Sequence, residues 1–371
     1  MPAHILHLLP DGSKAGARRT AQLIDTLGSG YRHSIVAAKP EERGWLVRVQ
    51  HDDPRFIGDF PPLKGAPLPG RLQRIARAML SYDLLVTHGY EAMNAVMART
   101  MFSEGYAPPP LVHHEWQDEI TLNSFTRRKR DFYRQLALGR SAALVVPDEA
   151  LEGRALTQWQ QPLGRVKRIG GAVDVRAFAK APRPDSLPGV IKRPGELWIG
   201  VVGGGGSGTG LDRAMAALRT LPENCILIWA SADDQQRSVR EAADQAGLND
   251  RVYPLSMMPE YQRFLGLFDV ALAPAGSAWQ PEAVLGAMAA GLPFAPEQAD
   301  GLAELTASEN APYLDMPLSH SLLELTAKPN LRRQIGEANR RKALAEHDLQ
   351  KLTATYRRLF DSAIAQTPRK R

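Results

Sequence analysis

Eight residues between an apolar run and a helix-like segment, Gly203, Gly204, Gly205, Gly206, Ser207, Gly208, Thr209 and Gly210, form the most suggestive group in the chain. Glycines at a strand-to-helix turn permit positive φ and let backbone N–H groups approach an anion. The helix N-terminus behind them adds its dipole. Ser207 and Thr209 contribute hydroxyl donors. The pattern points to a phosphate cradle, with a plain turn joining strand to helix as the alternative. Gly203-x-Gly205-x-x-Gly208 is also the dinucleotide fingerprint, but such a site needs an acidic residue closing the next strand, about 20 residues on. The strand CILIWAS closes on Ser231 instead, and Asp233 and Asp234 come late enough to be loop residues.

Three histidines sit at strand ends. His113 and His114 close LVHH ahead of Glu115, Asp118 and Glu119, and His88 closes LLVTH. A histidine there serves as proton acceptor or donates to a phosphate. Alternatively, one of the adjacent pair points into the core and the other into solvent. The His-His-Glu spacing does not match helix-borne zinc patterns, so no metal or other cofactor is expected. After the first strand come Gly12, Ser13, Lys14 and Gly16. Lys14 has a route to a phosphate, and equally reads as an ordinary lysine in a turn.

Positioning these groups requires alternating strands and helices. HILHLLP is an apolar strand, DGSKAG a turn, and Ala17, Ala21, Ile24 and Leu27 recur at helical spacing before the strand HSIVAA. This βαβ opening favours a parallel sheet. YDLLVTH, PPLVHHE and SAALVVP continue as strands, with a charged helix in TRRKRDFYRQLALGR. Lys180 to Pro194 is rich in Pro, Lys and Arg without periodicity and reads as a linker. ELWIGVV, LDRAMAALRTL, CILIWAS, QQRSVREAADQAG and DVALAPA repeat the alternation, and a final helix carries Leu349, Leu352, Tyr356, Leu359, Phe360 and Ile364 on one face. GRLQRIARAML suits a membrane-surface helix, or more commonly a surface helix with its apolar face on the core.

With 371 residues, of which 44% are hydrophobic, the chain is long enough for two cores. No apolar run reaches membrane-spanning length, and MPAHILHLLPDGSK lacks signal-peptide features, so the expected location is cytoplasmic. The single cysteine, Cys225, lies inside an apolar strand and reads as a core thiol. Residues 1–183 hold 26 Lys/Arg against 18 Asp/Glu, a net +8, while the remainder holds 20 against 22, a net −2. The basic half favours an anionic partner, including the inner face of a membrane, or is simply a solvated surface. No nucleic-acid motif accompanies it.

Several segments together carry a family resemblance. ILHLLPDGSKAGARR, RVKRIGGAVDVRAF, GLNDRVYPL with FDVALAP, and PAGSAWQPEAVLGAMAAGLP stand in the order and spacing of the family-4 (group 1) glycosyltransferases, which the chain resembles over nearly its whole length. The resemblance implies an α/β GT-B fold, two Rossmann-like domains whose parallel sheets face a central cleft, closed by a C-terminal crossover helix. The expected boundaries are 1–178 for the acceptor-side domain, 179–194 for the linker and 195–345 for the nucleotide-sugar domain. A helix over 346–366 packs back toward the first domain, and 367–371 form a tail.

The departures from the family are as regular as the matches. Ala278 and Gly286 replace the paired Glu, Gly204 and Thr209 replace the donor-site Arg and Lys, and Gly170, Gly171 and Ala172 replace Pro-Asn-Gly. Glu304 matches the family's acidic residue after its Gly-Gly turn. Glu282 lies four residues from each vacant Glu position, about one helical turn. There it either reaches ribose hydroxyls or only favours the helix dipole.

The resemblance thus implies transfer of a sugar, with retention, from a nucleotide-sugar donor to a saccharide or lipid-linked acceptor in glycan assembly. In that reading His113 and His114 act at the acceptor hydroxyl, Gly203–Thr209 and Glu282 hold the donor, and Gly12, Ser13, Lys14, Gly16 and His88 line the acceptor side. Four lost charged groups raise a second reading, a catalytically silent homologue that binds a glycan or partners an active transferase.

Overall fold

The computed structural model describes residues 2–9, 14–37, 54–116, 122–202, 208–256, 260–273, 281–297 and 301–366. In chain order, its first elements are β1 (Ala3–Leu9), α1 (Lys14–Leu27), β2 (Tyr31–Ala37), β3 (Arg55–Phe56) and α2 (Pro69–Ala78). They are followed by β4 (Leu84–His88), α3 (Met93–Met101), β5 (Leu111–His114), α4 (Ser124–Ala137), β6 (Ala143–Val146), α5 (Glu149–Thr157) and β7 (Val166–Arg168). The second series contains β8 (Leu197–Val201), α6 (Thr209–Arg219), β9 (Cys225–Ser231), α7 (Gln236–Ala246), β10 (Val252–Ser256), β11 (Val270–Ala273), α8 (Pro281–Ala289) and β12 (Phe294–Pro296). Helices α9 (Leu302–Leu305), α10 (Ala311–Leu314), α11 (Leu318–Ala327), α12 (Pro329–Glu346) and α13 (Leu349–Ala365) complete it.

Two compact units result. The first holds residues 1–170 together with 350–371, the second 171–349. The first contains a seven-stranded sheet in the order β3-β2-β1-β4-β5-β6-β7 and the second a five-stranded sheet in the order β10-β9-β8-β11-β12, with every described pairing parallel. Both sheets therefore reverse direction of growth at one place, between β1 and β4 and between β8 and β11, where the carboxyl ends of strands leave a natural crevice.

Parallel strands buried on both faces read as continuous apolar runs. In the first unit, Leu6, Leu8, Leu85, Leu144 and Val146 face α2, α3 and α5. On the opposite face Ile5, Val86, Val112 and Val145 meet α1 and the distant α13, through Leu23, Leu27, Tyr356 and Phe360. Helix α13 is further fixed where Tyr31 donates to Asp361 at 2.6 Å and Arg357 donates to the Leu27 carbonyl at 3.1 Å. The apolar face of α2 is buried as well, through Leu72, Ile75 and Met79.

The segment read as a linker belongs to the second unit's core. Leu187, like Val173 and Val175 just before the segment, is buried in the core cluster that holds α8, and Lys192 donates to Asp269 at 2.7 Å and to the Leu267 carbonyl at 2.6 Å. Its proline and basic content hides only a few anchors, so the division falls at Gly171 rather than at 179–194. At the edge strand β12, Asn310 imitates a neighbouring strand: its side chain accepts from Phe294 N at 2.8 Å and donates to Phe294 O at 3.0 Å. Asn339 on α12 holds that amide in turn, at 3.0 Å.

Helix α12 approaches the α8–β12 turn so closely that a Cβ on Gly336 would run into the Gly291 carbonyl. Gly336→Ala should destabilise the second unit by at least about 2 kcal/mol, as backbone cannot yield as a side chain does. Gly153→Ala on α5, where nothing stands within 4 Å, should be stabilising by about 0.5–1 kcal/mol. Urea unfolding of both variants checks the contrast.

Candidate functional site

The histidines divide by strand alternation. His113 shares a face with Leu111 and is turned toward α3 and α4, where both its nitrogens are engaged. Nδ1 lies 2.8 Å from the Thr87 hydroxyl and Nε2 3.4 Å from Glu115. An ionised carboxylate only accepts, so Nε2 carries the proton and Nδ1 accepts from Thr87. Arg134 donates to Glu115 at 2.9 Å, and Asp131 accepts from Arg154 at 2.9 Å and from the Trp159 indole at 2.7 Å. Burial would raise the Glu115 pKa, but the Arg134 guanidinium and His113 hold it down, at about 2. His113 is thus a member of an internal polar chain, with no ring nitrogen left for a reacting group.

The opposite face carries a different assembly. His7, His33, His88 and His114, from four strands, share it with Ile5, Tyr31, Val86 and Val112. Their rings make a column: His7 to His33 is 5.2 Å between centroids, His7 to His88 5.9 Å and His88 to His114 5.0 Å, with Trp116 stacked 5.0 Å beyond His114. Arg19 of α1 lies over Trp116 at 4.9 Å, and His114 Nε2 meets the Tyr356 hydroxyl of α13 at 3.1 Å. Neither ring of the His113–His114 pair reaches solvent.

This column stands at the carboxyl ends of β4 and β5, beside the switch between β1 and β4. Both ring nitrogens of His88, Nδ1 of His7, Nδ1 of His114 and the Trp116 indole N–H are buried without a hydrogen-bond partner among the described residues. Burial pushes the His7, His88 and His114 rings well below the ordinary histidine range, and neighbouring imidazoles act in the same direction. At neutral pH the column therefore offers uncharged donors and acceptors. Among the described residues no cluster of His, Cys, Asp or Glu could hold a metal ion.

In the second unit, the glycine run begins beyond β8 at the other switch point. Gly203, Gly204, Gly205, Gly206 and Ser207 lie outside the described residues, as do Gly12 and Ser13 in the first unit. Gly208 has φ 113°, as the turn chemistry predicts, and Thr209 is the exposed first residue of α6. Lys14 and Gly16 fall in the first turn of α1. Glu282 opens α8, a helix whose Ala283, Val284, Leu285, Ala287 and Met288 are fully buried. Gly286, at the position of a family Glu, is buried with them, and Glu304 is exposed on α9.

One pair escaped the sequence reading. Exposed Arg213 of α6 donates at 2.7 Å to Glu297, a nearly buried carboxylate directly after β12. Only its place after the apolar FAP could have signalled it. It brings a cation and an anion to the carboxyl edge that the glycine run also follows.

No protein-family model and no curated protein sequence matches the chain. Solved structures do. HepE of Anabaena in complex with UDP matches with a TM-score of 0.73 and 17% identity, covering 98% of this chain and 100% of that one. Sucrose-phosphate synthase of Thermosynechococcus elongatus matches with a TM-score of 0.66 at 16% identity over 98% and 99%. The lipopolysaccharide outer core galactosyltransferase WaaB, in its apo form, matches with 0.64 at 10% over 97% and 99%. The fold is GT-B along its whole length.

Because the His7, His88 and His114 rings are depressed relative to the unfolded value of 6.5, the unfolded chain binds more protons. Stability is then fully present above that value and lost as pH falls below it, by up to about 1.4 kcal/mol per pH unit for each ring. Glu115 adds a further loss from the ordinary carboxyl value of 4.5 down toward about 2. Thermal unfolding from pH 8 to pH 5 should show Tm falling below pH 6.5, with a shallower fall in His88→Phe. A flat profile in the wild type would contradict the neutral column.

Proposed function

We propose that the protein is a glycosyltransferase of the family-4 type, moving a sugar from a nucleotide-sugar donor to a saccharide or lipid-linked acceptor in glycan assembly, with retention. The observation that carries this is the full-length GT-B fold, in whose sequence a glycine-rich run joins β8, at the sheet's switch point, to α6. Phosphate-binding turns belong there, ahead of a helix N-terminus. The structural neighbour HepE, which binds UDP, supports a uridine nucleotide as the first donor to test.

In this reading the departing nucleotide diphosphate is stabilised by Gly203–Ser207 amides, the Thr209 hydroxyl and the α6 dipole, without a metal ion. Arg213, held against Glu297, supplies the nearby positive charge that Gly204 and Thr209 no longer provide. Glu282 takes the ribose hydroxyls. On the acceptor side, His88 and His114 replace the pair His113 and His114 as working groups, because their ring nitrogens retain unspent hydrogen-bonding capacity. Lys14, with Gly12, Ser13 and Gly16, belongs to the same edge. The lone buried Cys225 is consistent with a cytoplasmic location, and the basic first half with peripheral contact at an anionic membrane face. Among the described residues no helix is long and apolar enough to cross a membrane.

Calorimetric titration with UDP, GDP and their sugar nucleotides tests the proposal. We expect micromolar to millimolar binding of one nucleotide, at least tenfold weaker in Gly204→Val and in Arg213→Ala, with slow donor hydrolysis in the wild type. Absence of binding to all of them, together with a stable complex that activates another transferase, would favour the silent homologue instead.

A further inference from the structure

A cavity of about 380 Å³ opens in the first unit on the helical side away from the histidine column, within the size range of small-molecule sites. Its frame is rigid. One buried amide, Asn94, donates to the Leu63 carbonyl at 2.6 Å and the Gly65 carbonyl at 2.8 Å, and accepts from the Tyr133 hydroxyl at 2.7 Å. Arg71 pins the same loop by donating to the Lys64 carbonyl at 2.6 Å. The loop is fastened by its backbone, leaving the Lys64 side chain mostly exposed.

The lining indicates what fits. Both Arg130, at 4.1 Å, and Arg134, at 4.8 Å, lie over the Tyr90 ring, and both N–H donors of Asn94 are spent, so the lining offers a sugar neither an open Tyr90 ring to stack on nor an Asn94 donor. What remains is an apolar body made by Leu63, Pro67, Met93 and Phe132 under a rim with Lys64 and Lys129. Glu91 is the acidic group there, offset by Lys64 at 3.9 Å and Arg130 at 4.0 Å.

The cavity is also continuous with an unusual helix face. Phe132 is 59% exposed although it lines the cavity, and it continues on α4 to Phe125 at 79% and Leu136 at 50%, along one stripe. Arg128 and Lys129 are exposed beside them, and Leu68 is exposed next to Pro67. The acid of α4, Asp131, is instead tied to Arg154 and Trp159. Aromatic side chains among cations, without exposed acids on that helix, are the composition of a surface that lies in a lipid interface.

We propose that this cavity is a lipid site, taking the proximal part of an isoprenyl or alkyl chain against Phe132, Met93 and Leu63, with the lipid's phosphate between Lys64 and Lys129. The α4 stripe rests on the bilayer that delivers it. This rests on the transferase reading only for the lipid's role, which is then to carry the acceptor. Binding of the lipid itself does not depend on that reading.

Vesicle flotation of the full chain tests it, using phosphatidylcholine vesicles doped with undecaprenyl phosphate against vesicles brought to the same surface charge with phosphatidylglycerol. The wild type should prefer the former at least tenfold. Ala66→Trp, which fills the cavity mouth from an exposed position, and the double variant Lys64→Gln/Lys129→Gln should each lose that preference. Phe125→Glu, on the stripe but outside the cavity, should weaken binding to both vesicles equally and keep the ratio. Equal binding of the wild type to both vesicles, an undiminished preference in the folded variants, or abolition of the preference by millimolar inorganic phosphate would overturn the proposal. Because no nucleotide is present, failure here is separate from failure of the donor titration.

Discussion

A parallel sheet has to be covered on both faces, and in the first unit the described residues before 170 cover one face fully and the other only in part. Among the described residues, helices α2, α3, α4 and α5 close one side of the seven-stranded sheet, whereas α1 covers part of the other. The remaining cover arrives from residues 349–365, as α13 sets Tyr356, Phe360 and Ala363 on the strands β1, β4, β5 and β6. Ile5, Val86 and Val112 would otherwise face water, at roughly 1.5–3 kcal/mol for each fully buried aliphatic side chain. The first unit is therefore complete only once residues 349–365 have been made, and its stability and its site share one surface.

That shared surface explains why the histidine column is where it is. Strands β4 and β5 turn Val86 and Val112 toward α13 and close on His88 and His114, so the face changes from dry core to polar edge along both, whereas on β1 and β2 the imidazoles of His7 and His33 are followed by buried Leu9 and Ile35. Tyr356 lies at the change, packing against the apolar residues while its hydroxyl meets His114. Neutral rings suit the position. A charged ring so deeply buried would need a carboxylate partner, and the available carboxylate, Glu115, is committed to Arg134 on the other side of the sheet.

Much of this was legible from residue order. Apolar runs became strands close to their expected limits, and alternation with helical segments gave two parallel sheets, because these signals are local. The adjacent histidines show where legibility stopped. Period-two alternation sends His113 and His114 to opposite faces, but which face holds α13 depends on a helix more than 200 residues away. The expectation that one ring would meet solvent failed for the same reason. Residues 179–194 looked like a linker because composition cannot reveal that Leu187 and Lys192 find partners in a core built mostly later in the chain. Arg213 and Glu297 are far apart in sequence and carry no motif, so only the fold brings them together.

The economy of charge at both switch points then has a common physical logic. At the first, uncharged imidazoles and an indole present hydrogen-bonding atoms. At the second, the sequence places glycines and two hydroxyls where the family it resembles has Arg and Lys. Fixed dipoles cost no counter-ion and need no reorganisation as charge develops, but each contributes less than a formal charge, so a site built from them depends on many groups held in position at once. Rigidity around them is accordingly high. Asn310 and Asn339 lock the β12 edge, Gly336 lets α12 close on the α8–β12 turn, and the buried α8 leaves Glu282 on a helix that cannot shift without opening the core. A scaffold this constrained is what weak and numerous contacts require if they are to act together.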